Sequence, residues 1–188
     1  MKRKLFNAVF NNQAIFNNQA IKSIGAKEIN FLKKKSLVAP KRRFRICLHS
    51  NTSHLTQEMI IAINGFSYIK PHKHPKNVSE SYHVIKGALN VYILDDKGKV
   101  LDLVKLRAQN YKDKKINGYM YRLSKSLFHL TIPMNRWTVY HEVITGPFKK
   151  KKTVKYANFA PNENSNPKII NRFLKKYGIK KRLTFQQL

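Results

Sequence analysis

Acidic residues are scarce in this chain. Nine Asp and Glu stand against 38 Lys and Arg, a formal net charge of +29. Such an excess points toward anionic partners: nucleic acid, a membrane surface or a phosphorylated substrate. Composition explains it better. Lys far outnumbers Arg and the chain is rich in Asn and Ile, as an A/T-rich genome produces, while a basic stripe interleaved with aromatic readers is missing. No specific nucleic-acid partner is therefore expected. Cysteine is down to one, Cys47. That excludes an internal disulfide and suits a reducing cytoplasm. Long hydrophobic runs are missing as well, which excludes a membrane-spanning helix. The apolar stretch Leu5–Phe10, after Lys2, Arg3 and Lys4, imitates an export signal, but Asn11, Asn12 and Gln13 end it too early.

What is present builds a core. A 42% hydrophobic share over 188 residues fits one domain with appendages. Residues 1–27 are Asn-rich, with Asn-Asn-Gln-Ala-Ile occurring twice, too few copies for a repeat fold. Phe6, Val9 and Phe10 have helical spacing, although a flexible extension is equally consistent with this composition. A short helix is expected over Glu28–Leu37, stopped by Pro40.

From there the pattern is that of strands. Residues 43–49 alternate without a break: Phe44, Ile46 and Leu48 share one face, and Arg43, Arg45, Cys47 and His49 the other. The polar face has two readings. Spacing alone favours arginines in solvent. The other reading turns them into a pocket, where they grip an anion through paired hydrogen bonds. Further strands are expected at Glu58–Ile63, Tyr68–His74, Glu80–Lys86, Tyr119–Leu123, Phe128–Ile132 and Arg136–Thr145. Leu89–Leu94 and Lys99–Val104 form a hairpin around Asp95, Asp96, Lys97 and Gly98. Residues 107–118 and the Lys149–Lys152 run read as solvated loops. Ile169, Ile170, Phe173, Leu174 and Tyr177 predict a C-terminal helix ended by Gly178 and packed on the barrel. Many short strands and little helix argue for an all-β sandwich or barrel.

One stretch carries chemistry. His72 and His74 lie two apart, so on an extended strand both imidazoles point to one face. A turn at Pro75–Ser79 then leads to Glu80, which opens the next strand. Two nitrogens and a carboxylate oxygen on adjacent strands make a transition-metal site. His83 has the opposite parity to Glu80 and is not counted as a ligand.

Gly65, His72, His74, Glu80 and Gly87 together resemble the first cupin motif. The spacers before His72 and before Glu80 are longer than in that motif, an excess a turn absorbs. Ser124, Ser126 and His129 keep the spacing of the second cupin motif, with serines in place of its Pro and Gly. The wider sequence resembles the WbuC-type cupin-fold metalloproteins, often associated with bacterial surface-polysaccharide (O-antigen) biosynthesis. The resembling phrases are Pro40–His49, Glu58–Ile61, Ser67–Pro75, Ser79–Gly87, Tyr121–Ser124, His141–Phe148 and Phe159–Pro161 with Glu163, spread over residues 28–163.

The resemblance implies a cupin-type double-stranded β-helix, a jelly-roll barrel, over 28–163, between the 1–27 extension and a basic helical extension at 164–188. It implies a divalent transition metal (Fe, Mn, Ni or Zn) held by His72, His74, Glu80 and His129. Arg43, Arg45, His49 and Glu142 come forward as pocket residues, and Tyr68, Tyr82 or Glu142 as groups able to handle protons. The expected ligand is a small anionic molecule or sugar nucleotide, and a second copy of the chain is a candidate partner. Two roles follow: a metal-dependent isomerase, oxygenase or related sugar-modifying enzyme, or a non-catalytic module that senses a sugar or supports a biosynthetic complex. Nucleic-acid binding is a third and rests on charge alone. No spacing identifies a catalytic residue.

Overall fold

The computed structural model describes residues 8–10, 13–111 and 118–180. Phe6, residues 112–117 of the polar loop expected at 107–118, and residues 181–188 of the C-terminal extension lie outside the described residues.

Strands β1 (Ala8–Phe10), β2 (Ala14–Asn17), β3 (Arg43–Cys47), β4 (Thr56–Asn64), β6 (Glu80–Lys86), β9 (Met120–Leu123) and β11 (Trp137–Thr145) form one sheet in the order β1-β2-β3-β4-β11-β6-β9. Strands β5 (His72–Lys73), β7 (Ala88–Leu94), β8 (Val100–Arg107), β10 (Phe128–Pro133) and β12 (Lys155–Tyr156) form the second, in the order β12-β5-β10-β7-β8. Neighbouring strands are antiparallel, except that β2 runs parallel to β3. The consecutive strands β10 and β11 lie in different sheets, as do β6 and β7, which is the jelly-roll winding. Helices α1 (Ala26–Val38) and α3 (Pro167–Lys175) cover the outer faces, and α2 is a short turn at Lys150–Thr153.

The alternation along each strand divides the apolar residues into three cores. Met59, Ile61, Ile63, Tyr82, Val84, Leu89, Val91, Ile93, Tyr140 and Ile144 point between the sheets. Phe44, Ile46, Ile60, Ala62 and Val139 point outward from the larger sheet and meet Leu32 and Ile29 of α1. Tyr92, Leu94, Phe128, Leu130 and Ile132 point outward from the smaller sheet and meet Phe173 and Leu174 of α3. α1 thus takes the face of β3 that would otherwise lie in solvent, and the arginine face turns inward.

Two expectations are corrected. The segment before α1 is extended where it is described: β2 adds to the edge of the larger sheet, and Ile15 is fully buried beneath α1. Helical spacing of a few apolar residues loses to an open sheet edge whose backbone groups take up another strand. The Lys149–Lys152 run is not simply a loop. Lys150–Thr153 makes one helical turn whose lysines stay exposed while Thr153 is buried.

Gly87, between β6 and β7, has φ of +83°. A Cβ there would lie 2.8 Å from the carbonyl oxygen of Trp137. A left-handed residue with a side chain costs roughly 1–2 kcal/mol before any clash. Gly87→Ala should therefore lower the melting temperature by about 4 °C or more in a chain of this size. An unchanged melting curve would contradict the packing described here.

Candidate metal centre and its cavity

The two sheets meet at the predicted ligands. His72 and His129 are directly opposed in the β5–β10 pair. His74 follows just past β5, on the same face as His72, and Glu80 opens β6 in the other sheet. One donor atom from each of the four lies within 4.8 Å of the others. His74 Nε2 is 3.4 Å from Glu80 Oε1, and His129 Nε2 is 3.2 Å from Glu80 Oε2. Glu80 is 2% exposed and His129 1%.

The backbone fixes which nitrogens face inward. His74 Nδ1 lies 2.8 Å from the carbonyl of Thr153, and His72 Nδ1 3.1 Å from that of Lys70. A carbonyl only accepts, so each Nδ1 carries a hydrogen and each Nε2 is the nitrogen turned toward the cluster. Carbonyl partners of this kind orient and strengthen ligating histidines. Ser126 Oγ donates to the His74 carbonyl at 2.5 Å. A serine hydroxyl thus secures the turn where the second cupin motif has Pro and Gly.

His74 Nε2, His129 Nε2 and Glu80 Oε2 are buried without a hydrogen-bond partner. Orphaned polar atoms so deep are costly unless something satisfies them. Three imidazole nitrogens and a carboxylate oxygen aimed at one point fit a divalent metal ion. Charge within the cluster agrees. Burial, followed by His129, pushes His72 down to about 3, so it is neutral. Burial resists ionisation of Glu80, but the imidazoles, His129 first, outweigh it and hold the carboxyl near 2. Burial also opposes charge on His74, yet its contact with Glu80 raises it above its ordinary value.

The cluster opens onto a cavity of about 700 Å³ between the sheets. Arg43, Arg45, His49, Tyr82 and Glu142 all line it, together with His72, His74 and Glu80. Of the two readings for the arginine face, the placement is the pocket. Tyr68 stands apart, in the core beneath α3, its hydroxyl donating to the Pro161 carbonyl at 3.1 Å. Arg43 is already engaged. Its Nη2 reaches the Glu163 carboxylate oxygens at 2.8 and 3.0 Å, and its Nη1 the Tyr68 carbonyl at 3.2 Å. Lys41 adds a contact to Glu163 at 2.7 Å. His49 is anchored by Nδ1 to the backbone of Glu58 at 2.9 Å. Burial, helped by the charge of Glu80 and opposed by Arg45, pushes Glu142 up to about 8. Cys47 also lines the cavity, and burial raises its thiol to about 11, so it stays protonated.

Sequence reasoning missed Thr153 and Glu163 as supports of the site. Thr153 acts through its carbonyl, which leaves no trace in residue type. Glu163 was visible as part of the closing segment of the resemblance, but nothing in its spacing showed that it would pair with Arg43 and Lys41.

The family described as a domain of unknown function, DUF6016, matches residues 24–106, a stretch that contains His72, His74 and Glu80 but not His129. No curated protein matches the chain. Among solved structures it is similar to a Shewanella oneidensis protein, at 10% identity and a TM-score of 0.43 over 55% of this chain and 63% of that one. The chain thus spans less than two thirds of that protein. It is similar to an oxalate oxidase in complex with the substrate analogue glycolate, at 17% identity and a TM-score of 0.46 over 73% of this chain and 68% of the oxidase. It is also similar to a conserved Klebsiella pneumoniae protein with a double-stranded beta-helix domain, at 12% identity and a TM-score of 0.44 over 62% of this chain and 84% of that one. The two facing sheets of this chain are wound as a jelly roll, a double-stranded β-helix, with a cluster suited to a divalent metal at their junction.

Proposed function

We propose that this is a metal-binding cupin protein that binds or acts on an anionic sugar or nucleotide-sugar in bacterial surface-polysaccharide biosynthesis. The observation that carries the reading is one cavity shared by the three-histidine, one-carboxylate cluster and an inward-facing arginine strand. The WbuC-like phrases over residues 28–163 supply the pathway, and basic lining residues suit an anion.

A divalent ion (Fe, Mn, Ni or Zn) held by His72, His74, Glu80 and His129 would keep open coordination positions and polarise a bound oxygen. The chain supplies the rest. Thr153 and Lys70 keep the His74 and His72 rings aimed through their carbonyls. Tyr82, whose phenol burial raises well above its ordinary value, stays a proton donor beside the cluster. Glu142, protonated up to about pH 8, offers a hydrogen-bond donor beside Tyr82, its partner across the β6–β11 pair.

Elemental analysis of protein purified without added metal tests the centre. The wild type should carry about one divalent ion per chain, and His74→Ala, His72→Ala or His129→Ala should each lose most of it while staying folded. Glu80→Gln should weaken retention. Full occupancy after His74→Ala would remove the proposed site.

The pH response has a definite sign. In the free protein Glu80 is ionised and His72 neutral throughout the neutral range, because they titrate near 2 and 3. The proton left to displace is on His74, which titrates above its usual 6.5. Metal affinity should rise about tenfold per pH unit below the His74 midpoint and level off above it. A competition titration against a chelator of known pH behaviour reads this directly, and an affinity that falls as pH rises would contradict the assignment.

A further inference from the structure

The cavity has four cationic side chains on its wall: Lys41, Arg43, Arg45 and Lys150. Two of them already have their hydrogen-bond donors engaged from within the chain. Glu163 takes both Lys41 and one edge of Arg43, and the Tyr68 carbonyl and Ser67 Oγ take the other edge of Arg43 at 3.2 and 3.4 Å. Lys150 sits on α2 at the rim and is exposed, so solvent screens it. Arg45 differs. It is half-buried, and among the described residues it makes no ion pair. Its hydrogen-bond contact is the sulfur of Met59 at 3.8 Å, a weak acceptor. Its guanidinium therefore keeps a nearly complete set of donors for a guest. Glu142, two strands away across β4, lines the same cavity and accepts no hydrogen bond from a described residue. Tyr82, Tyr140 and Phe16 add aromatic surface.

From this inventory we infer that the organic ligand is a sugar acid carrying one carboxylate, not a sugar nucleotide. Arg45 takes the carboxylate as a two-point pair. Glu142 meets hydroxyl groups, and the aromatic residues meet the apolar face of the ring. A diphosphate linkage brings two negative groups and needs more than one uncommitted guanidinium or ammonium inside the cavity. Among the described residues the wall offers one, the half-buried Arg45. This inference rests on the metal-and-anion reading above and narrows its ligand.

The test is calorimetric titration of D-glucuronate, D-glucose and UDP-glucose into the wild type, Arg45→Lys and Arg45→Met, with metal content and melting temperature measured on each preparation. Glucuronate should bind the wild type at least about tenfold more tightly than glucose or UDP-glucose. Arg45→Met should remove that preference and Arg45→Lys should reduce it, both at unchanged metal content. If Arg45→Met does not fold, the lysine variant alone decides. Tightest binding of UDP-glucose, equal binding of acid and neutral sugar, no binding of any of the three, or an Arg45→Lys protein that keeps the full preference would each overturn the inference. A wild type without metal would instead count against the metal centre, so the two failures are told apart by the metal analysis.

Discussion

Three imidazoles from one sheet converge on a single carboxylate from the other, and the architecture is arranged around that meeting. Glu80 is among the most deeply buried charged groups in the protein, and its partners are imidazole nitrogens at 3.2 and 3.4 Å. Without a cation this is an expensive arrangement. A buried carboxylate must be compensated, and partial protonation of His74 is the compensation the free protein has. The apolar residues around the cluster, Tyr82 and Ile144 among them, lower the local dielectric and sharpen that demand. The centre is thus not a neutral part of the core that happens to suit metals. It is strained toward cation binding by its own electrostatics.

The supports of this centre come from far apart in the chain. Thr153 reaches His74 through a backbone carbonyl. The segment around Pro161 and Glu163 ties down Tyr68 and Arg43, and Lys70 Nζ reaches Asn162 at 2.8 Å, on the stretch leading into β5. β5 itself is only two residues long and is flanked by β10 and β12. So short a strand is held less by its own ladder than by these side-chain ties.

Much of this was legible in the sequence. The parity of 43–49 and 80–86 is a local property of extended chain, and it placed Arg43, Arg45, Glu80 and Tyr82 correctly relative to their neighbours. The His72–His74 spacing did the same for two candidate ligands. Tyr68 was less legible. Its parity matches His72 and His74, but the chain between Tyr68 and Lys70 is not a strand, so parity does not propagate through it. The difference between Arg43 and Arg45 could not be read either. Both lie on one face of one strand, and distant partners, Glu163 with Ser67 and the Tyr68 carbonyl, separate an engaged guanidinium from an open one. The fate of β1 and β2 depended on an unpaired edge, which is a property of the assembled sheet and not of residues 8–17.

The direct opposition of His72 and His129 has a consequence for how the protein matures. Sliding β10 by one residue against β5 would bring Phe128 or Leu130 to that position and turn the imidazole toward α3. Donors so widely separated along the chain come together only after both sheets have closed in the correct alignment. Ion capture at this cluster would therefore be a late event in biogenesis, and a loaded centre would certify that the strands have paired as they should.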